Sequence, residues 1–190
     1  MNLPNKLTVF RVFLIIPFVI LLLGQNAEWG WYEALFGEMK EVMNWITLLI
    51  FVIACLTDLL DGKIARKHNL VTNFGKFMDP LADKLLVCSA LICLIPLGRI
   101  PAYVVVIIMA REFIISGFRL IASDNGVVIA ASMWGKYKTV FQMIMVILML
   151  ADISFLRPLT MIIMWIATVL TIVSLIDYVY KNKNILSDFK

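Results

Sequence analysis

Apolar residues fill most of the chain in six long runs that are separated by short polar connections. A helix that crosses the hydrocarbon core of a membrane needs about 20 mostly apolar residues. Six stretches reach that length once polar residues near their ends are allowed: 8–23, 43–66, 76–97, 101–121, 133–152 and 158–179. The pattern therefore predicts an all-α integral membrane protein with six transmembrane helices. No polar block is long enough to fold separately, so we expect a single transmembrane domain over residues 1–190.

The beginning of the chain differs from the six apolar runs. Residues 1–7 are too short and too polar to span a membrane, and we expect them to form a brief interfacial segment. The run that follows superficially resembles a secretory signal, but no small-residue cleavage site ends it, and Arg11 and Pro17 interrupt it. We therefore expect this run to be retained as the first transmembrane helix.

Composition supports a membrane protein and excludes several other classes. Hydrophobic residues make up 62% of the chain and the mean hydropathy is +0.94, whereas soluble domains are roughly half apolar. A net charge of +4 is compatible with nucleic-acid binding, but the basic residues do not alternate with aromatic ones, and we expect no nucleic-acid partner. The cysteines Cys55, Cys88 and Cys93 lie in apolar runs without metal-ligand spacing, so we expect small buried side chains.

The distribution of Lys and Arg predicts the orientation in the membrane, because the cytoplasmic ends of membrane helices are enriched in both residues. With the six predicted helices, 14 of the 17 Lys and Arg residues fall on one side. The other side receives only Lys40, Arg99 and Arg157. We therefore expect a multi-pass protein of the cell membrane with both termini in the cytoplasm and the connection 24–41 outside.

Four carboxylates stand out between residues 58 and 83, in a region that is otherwise apolar. Residues three or four apart share a helix face, so Asp58 and Asp61 lie on one face, and Asp79 and Asp83 lie on one face of the next helix. If the chain reverses between the helices, the carboxylates gather around one small volume. Two divalent cations would cancel their charge, and a donor set without His or Cys suits Mg²⁺ or Mn²⁺. The pattern predicts a two-metal site on the cytoplasmic side.

Small residues and one arginine accompany the carboxylates. Gly62, Ala65 and Gly75 share the same helix faces, where a missing side chain allows close approach of a ligand or of another helix. Arg66 lies four residues after Gly62, and its planar guanidinium suits a phosphate. Together the metals, the cation and the space indicate a bound diphosphate.

Two alternatives remain open at this point. Each charged residue taken alone can simply reach from a helix end to the membrane interface, and a protein with a purely structural role would then need no metal. A cation transporter would use an intramembrane Asp cluster as its pathway. That function would not require Arg66 or the glycines.

The run D-x-x-D-G-x-x-A-R-x8-G-x-x-x-D-x-x-x-D resembles the signature of the CDP-alcohol phosphotransferases. Eight fixed positions carry the resemblance, at Asp58, Asp61, Gly62, Ala65, Arg66, Gly75, Asp79 and Asp83. The resemblance implies a six-helix membrane enzyme that forms homodimers and uses two divalent cations. Such an enzyme transfers a phosphatidyl or related group from a CDP-linked donor to an alcohol and releases CMP.

The resemblance also implies a role for each motif residue. Asp58, Asp61 and Asp79 would ligate the metals, while Asp83 would complete the second metal site or act as the general base. Gly62, Ala65 and Gly75 would line the cytidine pocket, and Arg66 would bind the donor diphosphate. Asn5 and Thr8 resemble a weaker family feature at the mouth of the nucleotide pocket.

Basic residues later in the chain bear on the acceptor. The whole chain is similar to the phosphatidylglycerophosphate synthases within this family, notably over 111–119 and 135–143. Four cations fall at the cytoplasmic ends of the fourth and fifth predicted helices, namely Arg111, Arg119, Lys136 and Lys138. Such a cluster suits an acceptor that carries a phosphate, so we expect CDP-diacylglycerol and sn-glycerol 3-phosphate as substrates. Inositol phosphate remains an alternative acceptor, whereas serine and inositol lack the phosphate.

Overall fold

Each of the six apolar runs forms a long helix in the computed structural model. The structure describes residues 2–26, 29–67, 73–124 and 132–183, with side chains except at 3, 4, 59–67, 73–77, 79, 80, 123 and 124. The helices in these ranges are α1 Leu3–Gly24, α2 Gly30–Phe36, α3 Lys40–Lys67, α4 Asn73–Leu94, α5 Ala102–Asp124, α6 Met133–Ala151 and α7 Arg157–Lys181. Short 3₁₀ turns at Gly37–Met39 and Ser154–Leu156 precede α3 and α7. The all-α prediction is confirmed, since no strand occurs among the described residues.

Three helical stretches within the described ranges are long and apolar enough to cross a membrane: Asn5–Gly24, Gly30–Asp58 and Ser154–Lys181. The other long helices, α4, α5 and α6, carry charged side chains inside their apolar sequence. Ionisable residues in a membrane helix are costly and are usually retained for function. Predicted functional residues lie on these three helices, and others lie on α1 and α3.

Two details near the N-terminus differ from the prediction. The first helix begins at Leu3, so the expected interfacial segment is instead the first turn and a half of α1. Pro4 lies in that first turn, where its missing N–H costs nothing. The connection 24–41 contains α2, whose Tyr32 is fully buried and packs directly on Gly24. A Cβ at Gly24 would lie only 2.3 Å from the Tyr32 ring, so a glycine is needed there.

Two contacts define how α1 and α3 pack. Arg11 of α1 pairs with Asp58 of α3, and the rings of Phe18 and Phe51 lie 5.8 Å apart. Seven residues forward along α1 correspond to seven residues backward along α3, so the helices are antiparallel. The N-terminal end of α1 therefore lies beside the C-terminal part of α3, where the motif begins.

The helices α5 and α7 pack in parallel. The ring of Tyr103 lies 6.4 Å from that of Trp165, and the ring of Phe118 lies 6.1 Å from that of Tyr178. From the first ring pair to the second, the residue number rises along α5 and also along α7, so the two helices run in the same direction. The buried face of α7 contains small and polar residues, including Thr171 and Ser174, which allow close approach of α5.

The chain divides into two compact units. The first contains α1 to α4 together with residues 149–151, and the second contains α5, α7 and the rest of α6. That the chain forms one catalytic domain stays a prediction.

Arg99 joins several chain segments within the first unit. Its Nη1 donates to Asn44 Oδ1 at 3.0 Å and to the carbonyl of Met149 at 3.2 Å, and its Nη2 donates to Gln25 Oε1 at 3.4 Å. The last carbonyls of a helix have no partner within the helix, so Arg99 satisfies one at the end of α6. The guanidinium therefore links α3, α6 and the end of α1.

Replacing Arg99 by Ala should lower the free energy of unfolding by about 2 kcal/mol, because several charge-assisted hydrogen bonds are lost together. Thermal or denaturant unfolding in detergent measures the change. Arg157→Ala is the matched control, since its contact with Asp152 is 3.5 Å long and its side chain is 68% exposed. Equal effects of the two substitutions would contradict the assigned role of Arg99.

Candidate active site

The buried face of α1 changes from polar to apolar along the helix. Its polar part begins at the N-terminal end, and its apolar part follows. Residues three or four apart form the whole face, namely Asn5, Thr8, Arg11, Ile15, Phe18 and Leu22. Because α1 packs against α3 and α4, its polar part lies inside the first unit rather than in solvent. A buried polar side chain needs a hydrogen-bond partner, and Arg11 has one on α3, the motif carboxylate of Asp58.

Arg11 supplies a buried positive charge to this region. Its Nη1 lies 2.7 Å from Asp58 Oδ1, and the side chain of Arg11 is 0% exposed while that of Asp58 is 35% exposed. A buried guanidinium is tolerated only when it is paired and hydrogen-bonded. The first carboxylate of the motif is therefore held by a cation from α1.

The structure brings two of the predicted metal ligands into the same region. Cys55, one turn before Asp58 on α3, has Asp58, Asp83 and Arg11 as its charged neighbours. Asp83 belongs to α4 and is exposed, so carboxylates from two successive helices lie around the same cysteine. Cys55 and Cys88 are half-buried and only Cys93 is fully buried.

The other motif residues are placed only by their backbone. Their helices are described, but their side chains lie outside the described part of the structure, and their roles stay predictions. These residues are Asp61, Gly62, Ala65 and Arg66 in α3 and Gly75 and Asp79 in α4. Asn5 is 6% exposed and Thr8 is 0% exposed, and both lie on the α1 face that carries Arg11.

The chemistry of the donor set fits hard divalent cations. Asp58 and Asp83 can supply carboxylate oxygens. Asp61 lies one turn after Asp58 on α3, and Asp79 lies one turn before Asp83 on α4. Oxygen-only ligands suit Mg²⁺ and Mn²⁺. Arg11 balances part of the negative charge from the buried side, while Asp83 remains accessible.

A second charged cluster lies in the second unit, where α5, α6 and α7 contribute. Glu112 Oε1 accepts hydrogen bonds from Arg111 Nη1, at 3.0 Å, and from Lys138 Nζ. The Lys138 side chain is only 2% exposed. The guanidinium of Arg111 is held from a further side, because its Nε donates to Ser174 Oγ at 3.1 Å.

The other two predicted cations have different surroundings from Arg111 and Lys138. Arg119 on α5 and Lys136 in the first turn of α6 are both exposed. The N-terminus of α6 is capped by Ser132, whose Oγ accepts a hydrogen bond from the Gly135 N–H at 3.2 Å. Lys138 is buried and paired, whereas Arg119 and Lys136 are open to a ligand from solvent.

Two charged residues of these clusters were not identified from the sequence as site residues. Arg11 was interpreted only as an orientation signal, and Glu112 was given no role. A sequence signal exists for both, since each is an ionisable residue inside a predicted membrane helix. The sequence does not show which opposite charge each one meets, because their partners Asp58 and Lys138 lie on other helices.

Comparisons with known proteins agree with the motif. A sequence model described as CDP-alcohol phosphatidyltransferase matches residues 1–173. Relatives named CDP-diacylglycerol--glycerol-3-phosphate 3-phosphatidyltransferase include a Bacillus subtilis protein, 44% identical over 95% of this chain and 95% of its own. A Rickettsia typhi protein of that name is 37% identical over 93% of this chain and 94% of its own. A third, from Mycoplasma pneumoniae, is 36% identical over 81% of this chain and 70% of its own.

The matched region contains α1 to α6 and most of α7, so it includes both charged clusters. The eight motif positions are all present on α3 and α4, two helices that pack against each other. The family resemblance inferred from these positions is confirmed. The chain belongs to the CDP-alcohol phosphatidyltransferase family, whose members are membrane enzymes.

Proposed function

We propose that this enzyme transfers a phosphatidyl group from CDP-diacylglycerol to the primary hydroxyl of sn-glycerol 3-phosphate. One observation carries the proposal: a complete eight-position family motif lies on α3 and α4, two helices that pack against each other. The names of the relatives support this donor and this acceptor. The overall reaction forms a bond between the acceptor hydroxyl oxygen and the phosphatidyl phosphorus. The bond from that phosphorus to CMP breaks.

In this proposal Asp58, Asp61, Asp79 and Asp83 hold two divalent cations, either Mg²⁺ or Mn²⁺. When bound, the cations neutralise the diphosphate and the charge that develops on it. Arg66 binds the diphosphate as a planar fork. Gly62, Ala65 and Gly75 leave room for the cytidine, and Asn5 and Thr8 lie at its entrance.

The side chain of Asp83 accepts the proton of the attacking hydroxyl. A general base must reach the hydroxyl that it deprotonates, and Asp83 is exposed whereas Asp58 is half-buried. Asp58 is held by Arg11 at 2.7 Å, which suits a fixed ligand. These surroundings favour Asp83 as the base and Asp58 as a fixed ligand.

The acceptor phosphate is bound by the cations of α5 and α6. Arg111 presents a guanidinium that is fixed by Glu112 and Ser174, while Arg119 and Lys136 are exposed. A phosphate monoester carries nearly two negative charges at neutral pH, so several cations are needed. Lys138 is the buried member of the same cluster.

The two other candidate functions are testable. Another phosphorylated acceptor, such as inositol phosphate, would use the same cations. A cation transporter would need the Asp cluster but not Glu112, Arg111 and Lys136.

An acceptor screen tests the proposed function directly. Purified protein with CDP-diacylglycerol and a divalent cation is given labelled sn-glycerol 3-phosphate, inositol phosphate, glycerol or serine. We expect labelled lipid mainly from sn-glycerol 3-phosphate. Efficient use of glycerol or serine would contradict the acceptor assignment, and a preference for inositol phosphate would replace it.

The exposed cations give a quantitative prediction. Arg119→Ala or Lys136→Ala should raise the KM for sn-glycerol 3-phosphate about tenfold, equivalent to roughly 1.4 kcal/mol for one charged contact. The KM for CDP-diacylglycerol should change little. Lys183→Ala is the control, because Lys183 is an exposed cation that stacks on Tyr180 outside the cluster. Equal effects on both substrates would show that these cations serve the donor or the fold.

Orientation and assembly belong to the same proposal. The Lys and Arg distribution supports a cell-membrane enzyme with both termini and the carboxylate site facing the cytoplasm. The acyl chains of the donor are apolar, so they remain among the membrane lipids. The family resemblance supports a homodimer in which the chain forms one catalytic domain.

Accessibility labelling in intact cells checks the orientation. A cysteine introduced at the exposed position 33 should react with an impermeant thiol reagent from outside, whereas one at position 70 should react only after the membrane is opened. The protein without an introduced cysteine is the control, because it shows how much of the labelling comes from Cys55, Cys88 and Cys93. The reverse pattern would contradict the orientation.

A further inference from the structure

The guanidinium of Arg111 is a tightly held charged group outside the carboxylate motif. Its Nε donates to Ser174 Oγ on α7, and its Nη1 donates to Glu112 Oε1 on its own helix. Ser174 is itself fixed, since its Oγ donates to the carbonyl of Thr171 at 3.0 Å. Two sides of the guanidinium are therefore set by described partners.

The third side of Arg111 faces the first turn of α6. A Cβ built on Gly135 would lie 3.2 Å from Arg111 Nη2, so Nη2 approaches the α6 backbone where no side chain intervenes. The first backbone N–H groups of a helix, together with a guanidinium, favour an anion. The described contacts thus direct Nη2 of Arg111 toward the first turn of α6.

Lys138 occupies a different position in the cluster. Its ammonium group is buried and contacts the same Glu112 oxygen that accepts from Arg111. One carboxylate oxygen is therefore shared by two cations from α5 and α6. The pairing with Lys138 fixes where this oxygen lies, and the oxygen in turn fixes Nη1 of Arg111.

We propose that Glu112, Lys138 and Gly135 are positioning residues for Arg111 in binding the acceptor phosphate. Glu112 orients the guanidinium, Lys138 acts on it through Glu112 rather than by contacting the acceptor, and Gly135 leaves the space that Nη2 uses. This inference rests on the proposed function, because it assigns the acceptor phosphate to Arg111. It differs from the sequence prediction by removing Lys138 from direct contact with the acceptor.

The sign of one mutational effect separates positioning from simple electrostatics. A carboxylate near a bound phosphate repels it, so Glu112→Gln should lower the KM for sn-glycerol 3-phosphate if Glu112 only adjusts the local charge. If Glu112 positions Arg111, the same substitution should raise that KM about tenfold. The KM for CDP-diacylglycerol should stay within about twofold of wild type. A lowered or unchanged KM for the acceptor would overturn the proposal.

A double-mutant cycle tests the indirect role of Lys138. If Lys138 acts only through Glu112, Lys138→Met should add no further increase in acceptor KM to the Glu112→Gln variant. If Lys138 contacts the acceptor, its effect should be the same in both backgrounds. Additive effects would therefore overturn the assigned role of Lys138.

Gly135→Ala keeps every charge and every ion pair. This variant therefore tests the proposal even if the Glu112 and Lys138 variants fail to fold. Alanine is a better helix former than glycine, while its Cβ requires Arg111 Nη2 to move by a few tenths of an ångström. We expect the acceptor KM to rise about threefold or more through this misplacement. Gly117→Ala on α5 is the matched control, because a Cβ there meets nothing within 4 Å.

Failure of this inference is distinguishable from failure of the proposed function. If wild-type enzyme uses sn-glycerol 3-phosphate but Gly135→Ala and Gly117→Ala have the same acceptor KM, only the positioning inference is wrong. If wild-type enzyme does not use sn-glycerol 3-phosphate, the proposed function itself is wrong.

Discussion

Asp61→Asn and Asp79→Asn should each lower the rate of phosphatidyl transfer by about a thousandfold, equivalent to roughly 4 kcal/mol of lost transition-state stabilisation. The amide removes the negative charge that a hard cation requires, while the side-chain volume is unchanged. Release of CMP by purified variants at saturating substrate measures the rate. Binding of Mn²⁺, followed by electron paramagnetic resonance, should weaken in parallel.

The control for these substitutions is Asp152→Asn. Asp152 lies at the end of α6 with φ +45°, a backbone conformation that Asn also adopts readily. The activity and Mn²⁺ binding of the Asp152→Asn variant should match those of the wild type. Full activity of either Asp61→Asn or Asp79→Asn would remove that residue from the proposed ligand set.

Asp58→Asn should in addition destabilise the fold, by about 3 kcal/mol, because it leaves the buried guanidinium of Arg11 facing a neutral amide. Thermal unfolding in detergent measures the loss. The double variant Arg11→Met/Asp58→Asn should recover most of the stability, since the buried guanidinium and its partner charge are removed together, yet it should remain inactive. Asp58 therefore has a structural partner as well as a proposed ligand role.

A second ion pair of equal length provides the comparison. Lys181 Nζ lies 2.7 Å from Asp177 Oδ1, but the Lys181 side chain is 61% exposed. Asp177→Asn should therefore change the stability by less than about 1 kcal/mol. If Asp58→Asn and Asp177→Asn have the same effect, burial of Arg11 does not govern the stability of the first unit.

The helices were predictable because their apolar runs are long and are separated by short polar connections. The pattern located all six long helices but placed the start of the first one too late. Asn5 lies before the predicted start, and from the sequence a polar start indicates a segment at the membrane interface. In the structure Asn5 is buried, as are Thr8 and Arg11, on a helix that packs against α3 and α4. A single helix sequence shows which residues share a face but not whether that face meets lipid, water or another polar helix.

The candidate site was predictable where the motif spacing is local and not where it depends on pairing between helices. The motif falls on the successive helices α3 and α4, which pack against each other, and its role as a metal site stays a prediction. The contact of Arg11 with Asp58 spans α1 and α3, and that of Lys138 with Glu112 spans α5 and α6. Such pairs depend on packing register, which apolar composition does not encode. For this reason Arg11 and Glu112 were missed, and Lys138 was grouped with cations that have different surroundings.

The stoichiometry of the proposed reaction tests its central claim most directly. Purified enzyme is supplied with CDP-diacylglycerol, a divalent cation and labelled sn-glycerol 3-phosphate, and released CMP and labelled lipid are counted in the same sample. We predict one CMP for each molecule of phosphatidylglycerophosphate, with no sustained release when the acceptor is omitted and none with Asp61→Asn. Sustained CMP release without the acceptor, or labelled lipid formed without CMP, would contradict the account.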